Sequence, residues 1–123
     1  MAIIYTTAVK NARLDAVIAA IGTAGVLEIG TTGMGSVLAT IPLANPAGTT
    51  SGAVLTFSGM PRSDTAADAT GTAAAARIRT ATGGTDIVTG LTVGTSATDI
   101  VLDSVSITTG QLVSITAATI THA

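Results

Sequence analysis

The chain has 123 residues, which is enough for one domain built around one core. Charged residues make up 10% of it and hydrophobic residues 47%, and the net charge is -2. This excludes the surface of an ordinary soluble domain, in which about 25% of residues are charged. The absence of cysteine also excludes disulfides and thiolate metal sites.

Weak charge repulsion favours association, so we expect a subunit that covers part of its surface with other chains. The alternative is a monomer with a neutral Thr and Ser surface. The longest uncharged stretch near the N-terminus, Ala16 to Leu27, is too short to cross about 30 Å of hydrocarbon, and we predict no membrane contact. Lys10 and Arg13 precede an apolar run, but Asp15 lies at its edge, so the run indicates a helix and not a secretory leader.

The first predicted element is a helix over about residues 7–21. Thr6 or Thr7 supplies a capping hydroxyl, and Gly22 suits a left-handed C-terminal cap. The residues predicted to form its apolar stripe, largely at spacings of three and four, are Val9, Leu14, Val17, Ile18 and Ile21.

The remainder reads as short strands rich in Val, Ile and Thr, separated by turns rich in Gly, Asn and Pro. The predicted strands are 25–29, 36–42, 53–58, 73–80, 86–93, 99–102, 104–107 and 111–121. Short links between strands favour antiparallel pairing. We therefore predict a single mainly β domain over residues 1–123, an antiparallel β-sandwich of jelly-roll type with one N-terminal α-helix.

The last predicted strand changes phase along its length. Val113 and Ile115 share one parity, whereas Ile120 and His122 have the other. One extra residue reverses the phase of a strand, so we predict a β-bulge near Ala117-Ala118.

Two loops invite a functional reading. The stretch 30–35, GTTGMG, resembles a phosphate-binding loop, but a strand follows it where such a loop needs a helix, and we predict a hairpin loop. The small-residue stretch 63–75 is predicted to be an ordered surface loop leading into the next strand.

The sequence contains few residues suited to catalysis. His122 is the only histidine and lies next to the C-terminus, and there is no cysteine, so we predict no enzyme and no cofactor. Neither Asp64 with Asp68 nor Asp99 with Asp103 has the spacing of a calcium loop, and no metal is expected.

Arginine side chains are the strongest polar candidates for an interface. Arg77 and Arg79 flank Ile78 on the opposite face of a strand, about 7 Å apart. We expect them to form ion pairs across a subunit interface or with local aspartates, and expect Asp99 and Asp103 to cap turns or to pair with these arginines or Arg62. A sequence pI near 4.9 and few aromatic residues argue against a nucleic-acid partner.

Both ends of the chain resemble small virion structural proteins of tailed bacteriophages. The N-terminal resemblance lies in AVKNARLDAVIAAIGTAGVLEIGTTG, and the C-terminal resemblance in GLTVGTSATDIVLDS, ITTGQLVSI and ATITHA. The middle, about residues 40–72, adds little. The resemblance implies a structural role and no catalytic residue. Proteins of this sort often decorate capsids, frequently as trimers, and this placement is by analogy.

The resemblance implies a capsid decoration (cement) protein, made in the bacterial host cytoplasm and placed on the capsid surface of the virion. The expected partners are itself, as a homotrimer, and the major capsid protein. The apolar arm Ala2–Tyr5 is expected to add a strand to a neighbour's sheet. The candidate interface residues are Ile3, Ile4, Tyr5, Lys10, Arg13, Arg62, Arg77 and Arg79, together with loop 63–75. Alternatives are a head-fibre, tail or baseplate component, or a small ligand- or carbohydrate-binding β-module.

Overall fold

The computed structural model describes residues 3–60 and 62–122, which form one helix and eleven strands. In chain order these are α1 (Thr7–Ile21), β1 (Val26–Gly30), β2 (Val37–Pro42), β3 (Gly48–Ser51), β4 (Val54–Phe57), β5 (Arg62–Asp64), β6 (Gly71–Thr72), β7 (Ala75–Arg79), β8 (Asp86–Gly94), β9 (Ile100–Leu102), β10 (Ser106–Ile107) and β11 (Val113–Thr121). A short 3-10 helix, Thr32–Met34, lies in the β1–β2 hairpin loop.

The helix has the predicted bounds. The Thr6 hydroxyl accepts a hydrogen bond from the Val9 N–H at 3.4 Å, and Gly22 ends the helix with φ 73°. Leu14 and Ile21 are buried, whereas Val9, predicted in the apolar stripe, is exposed. The helix therefore packs against the sheet through its C-terminal half and leaves its first turns in solvent.

The predicted fold class is confirmed: the protein is mainly β, with one N-terminal helix and a curled, sandwich-like sheet. The main sheet has nine strands in the order β2-β1-β7-β8-β9-β11-β4-β3, with β5 also paired to β11, and β6 and β10 form a separate ribbon. Among the described strands, pairing is antiparallel as predicted except between β8 and β9. Asp99 accepts hydrogen bonds from the N–H and hydroxyl of Thr92 on β8. These bonds hold the start of β9 beside the end of β8, where the two strands run parallel.

Three short strands lie where loops were predicted. β3, β5 and β6 contain mostly Gly, Ser, Thr and charged residues, which have weak strand signals in the sequence. Tertiary pairing holds them: β3 pairs with β4, β5 with β11 and β6 with β10.

The segment 62–68 closes the curled sheet against the outer edge of β2. Its bonds to that edge run from Arg62 Nε to Pro42 O (2.6 Å), from Thr40 N to Asp64 Oδ2 (3.0 Å) and from Asp68 N to Leu38 O (2.7 Å). Ala67 is buried in the core. Stretch 63–75 is ordered as predicted, but it is more than a surface loop. Residues 62–68 connect β2 to β11, with which β5 pairs, and we call this segment the seam.

The predicted bulge in the last strand is present, one residue earlier than predicted. Ile115 pairs with Leu102 and Ala117 pairs with Val101, so Thr116 is the extra residue. The buried positions change from Val113 and Ile115 to Ala118 across it, as the phase argument required.

The core consists of small aliphatic side chains, with Phe57 as its aromatic member. Among the described residues, Glu28 on strand β1, between β2 and β7, is the only charged residue that is buried, with 5% exposure. Within residues 3–60 and 62–122, no helix has the length and hydropathy needed to span a bilayer.

Candidate interaction surface

The most exposed large apolar side chains belong to the N-terminal arm. Ile3 is 79% exposed and Ile4 is 84% exposed, and both lie in irregular backbone before the helix. Ala2, included in the predicted arm, lies outside the described residues. Isolated surface hydrophobics are common, but two adjacent isoleucines at this exposure are suited to contact with another molecule.

The root of this arm is anchored by Tyr5. The guanidinium carbon of Arg13 lies 4.6 Å from the centroid of the Tyr5 ring, a cation–π contact with the first turns of the helix. The His122 ring meets the same ring edge-on, with centroids 6.1 Å apart. The arm is therefore fixed at one end and exposed beyond it.

Hydrogen bonds connect the helix and His122, near the C-terminus, to the β3–β4 hairpin. The N–H of His122 donates to the carbonyl of Ala53 at 2.9 Å, and the N–H of Ala53 donates to Asn11 Oδ1 at 2.9 Å. The Thr50 hydroxyl donates to Asp15 Oδ1 at 2.8 Å. We use the name arm patch for residues 3–5, Arg13, His122 and the hairpin 48–57.

Small residues dominate the solvent face of the helix beside the arm patch. Its exposed alanines are Ala8, Ala12, Ala16, Ala19 and Ala20. Of its two basic side chains, Lys10 is half-buried and Arg13 lies over the ring of Tyr5. A face of this kind lets another chain approach closely with few long charged side chains to order or desolvate.

A second polar group lies on the sheet, around Glu28. Glu28 and Arg77 are direct cross-strand partners on β1 and β7, and Arg77 Nε donates to Glu28 Oε1 at 2.6 Å. Arg79 Nη1 is 3.7 Å from the same carboxylate oxygen. The buried negative charge of Glu28 is thus balanced by two arginines that remain partly open to solvent.

Arg79 also pairs with Asp86 on β8. Its Nε lies 2.8 Å from Asp86 Oδ1, although the N–H does not point at that oxygen, so the contact is an ion pair without a good hydrogen bond. Two arginines and two carboxylates give the group no net charge, and this limits its pull on a charged ligand.

A shallow pocket of about 420 Å³ adjoins this group. The residues around it include Met34, Ala75, Arg77, Asp86 and Leu91. His122 is at the arm patch and is not part of this lining. Within the described chain, no three His, Cys, Asp or Glu side chains come together as a metal site.

The structure divides the predicted interface residues into two places. Ile3, Ile4, Tyr5 and Arg13 belong to the arm patch, with Lys10 on the adjoining helix. By contrast, the side chains of Arg62, Arg77 and Arg79 all make bonds or ion pairs within the chain.

Of the two roles predicted for Asp99 and Asp103, capping a turn or pairing with an arginine, the structure shows the capping role for Asp99, and neither forms an ion pair with an arginine among the described residues. Asp99 caps the turn after β8 through Thr92, as the other reading held, while the arginines pair with Glu28 and Asp86. Sequence reasoning missed Glu28. Its signal was an isolated acid inside the apolar run VLEIG, which needs a cationic partner on a neighbouring strand.

No known family model matches the sequence, and no curated protein or solved structure shows significant similarity to it.

Proposed function

We propose that this chain is a structural protein of a tailed-bacteriophage virion, a decoration (cement) subunit that stabilises the head by bridging capsid subunits. The observation that carries the proposal is the N-terminal arm, which is apolar, exposed at Ile3 and Ile4, and held at its root by Tyr5. An anchored apolar segment is suited to docking, since less conformational freedom is lost when it binds.

The composition supports the same role. A chain with 10% charged residues has a weak electrostatic barrier to packing against copies of itself. The proposed partners are further copies, as a homotrimer, and the major capsid protein. Each contact need not be strong, because a subunit held by one neighbour meets the next at high effective concentration.

The arginine group has a separate part in this proposal. Because Arg77 and Arg79 are paired to Glu28 and Asp86, they stabilise the sheet that carries the arm patch. Arg62 does the same at the seam through the carbonyl of Pro42. Contact with other subunits, both further copies and capsid, is therefore assigned to the arm patch and the adjoining helix.

The test uses heads of the phage that encodes the chain, prepared without it. Purified chain should co-sediment with these heads in stoichiometric amounts and raise their resistance to heat. Ile4→Asp should weaken binding to heads, because it places a charge in an apolar contact between subunits. Leu112→Asp, the matched change at an exposed apolar residue outside the arm patch, should bind normally. Heads that take up no wild-type chain would refute the proposal.

A further inference from the structure

The two ends of the main sheet differ in how their outer edges are occupied. At β2, the segment 62–68 supplies hydrogen-bonding partners to the outward groups of Leu38, Thr40 and Pro42. That edge cannot accept another strand without displacing the seam. The opposite end of the sheet is β3.

The hairpin geometry shows which groups of β3 point outward. Gly52 and Ala53 form a two-residue loop with φ of 58° and 64°, and in such loops the flanking residues exchange backbone hydrogen bonds. Bonded and non-bonded pairs alternate in antiparallel strands. The N–H and C=O of Thr50, opposite Leu55, therefore face away from β4, and they have no backbone partner among the described residues.

The β3 edge also lacks the usual protection against pairing. Its sequence, GTTS, has none of the lysines or prolines with which proteins commonly block an exposed edge. The side chains of Thr49 and Ser51 are exposed beside it. The strand itself therefore presents no charge and no ring to an incoming segment, and the nearby carboxylate of Asp15 is bonded to the Thr50 hydroxyl.

The arm that could fill this edge starts on the same surface. Tyr5 contacts His122, and the N–H of His122 is bonded to Ala53 in the hairpin loop. Donor and acceptor therefore lie within one patch, although within the single chain the described arm residues, 3–5, make no strand pairing with β3. Such an arrangement lets each copy give an arm and receive one.

We infer that the arm, residues 3–5, of one copy pairs along the outer edge of β3 in a second copy. This rests on the proposed assembly function and names the partner of the arm patch. Backbone groups of the arm bond to the N–H and C=O of Thr50, and Ile3 and Ile4, whose side chains alternate across the added strand, each lose exposure on one face of the sheet. Three such contacts, each copy giving its arm to the next, would close the homotrimer of the proposed function.

Sedimentation velocity on the purified chain tests the edge with a matched pair of variants. Thr50→Pro removes the outward N–H, whereas Thr50→Val keeps it; both lose the hydroxyl bond to Asp15. We expect Thr50→Pro and Ile4→Asp to weaken self-association by roughly tenfold to a hundredfold, and Thr50→Val to leave it near wild type. A monomeric wild type, or a Thr50→Pro variant that associates normally, would overturn the inference.

Disulfide trapping identifies the contact directly, since the chain has no cysteine of its own. Ile4→Cys combined with Thr49→Cys should give covalent oligomers on mild oxidation. Ile4→Cys with Thr95→Cys, in the exposed turn after β8, should not. Only intramolecular bonds, or equal trapping at both positions, would count against β3. Head binding is scored separately: Thr50→Pro that binds heads but does not self-associate leaves the proposed function standing.

Discussion

The guanidinium of Arg13 stacks over the ring of Tyr5 at 4.6 Å, joining the exposed N-terminal arm to the helix that follows it. This contact makes the arm a fixed feature of the surface. Mutations at this contact can therefore be tested for two separate effects, one on the free energy of unfolding and one on binding by the arm.

Tyr5→Leu should affect docking more than stability. An exposed cation–π contact contributes about 0.5–1 kcal/mol, so the free energy of unfolding should fall by about that amount. Binding to heads should fall further, because a loosened arm loses more freedom when it docks. Tyr5→Phe keeps the ring and should preserve both properties. Urea denaturation and head co-sedimentation measure them, and unchanged head binding by Tyr5→Leu would contradict the anchoring role.

Glu28→Gln should destabilise the sheet. It removes the buried carboxylate that pairs with Arg77 and Arg79 and leaves two cations without their shared partner. We expect a loss of about 2 kcal/mol, below the value for a fully buried pair because the arginines are partly exposed. Asp86→Asn breaks a pair whose acid is 43% exposed and should cost under about 1 kcal/mol. Equal losses for the two variants in chemical denaturation would argue against this ranking.

Deleting Thr116 should be far more damaging than truncating it. The deletion removes the bulge and forces either Ile115 or Ala118 to the wrong face of β11. We expect a loss of at least about 3 kcal/mol, or failure to fold. Thr116→Ala removes the hydroxyl bond to the Val101 carbonyl and an exposed methyl group, and should cost about 1 kcal/mol. Circular dichroism with urea titration distinguishes them, and a stable deletion variant would show that the bulge has no role in register.

The same substitution should change stability in opposite directions at two alanines. Ala97 lies in an exposed turn with φ 56°, a left-handed conformation that strains any residue with a Cβ. Ala97→Gly should therefore raise the free energy of unfolding by about 0.5 kcal/mol. Ala16→Gly, on the exposed helix face, should lower it by about 1 kcal/mol. Thermal denaturation of the two variants checks the sign, and a loss at Ala97 would contradict the strain argument.

Local sequence signals predicted the elements whose stability is local. The helix bounds follow from Thr6 and Gly22 at its ends, and the bulge follows from the change of parity between Ile115 and Ile120. β3 and β5 escaped prediction because their polar residues become strands only by pairing with β4 and β11.

The candidate site was only partly visible in the sequence. The apolarity of Ile3 and Ile4 marked the arm, whereas its anchoring depends on His122, which comes from the far end of the chain. Likewise, the internal pairing of Arg77 depends on the register of β1 against β7, which brings Glu28 opposite it. Contacts between segments that are distant in sequence depend on the topology of the fold, so they could not be predicted from composition or local pattern.

We expect the arm patch to be covered by another subunit in the assembled particle. Density for the chain in an intact particle of the phage that encodes it tests this most directly. We predict the chain on the outer surface of the head, with Ile3 and Ile4 buried against a neighbouring subunit. A particle that lacks the chain, or that carries it with both isoleucines in solvent, would contradict the claim.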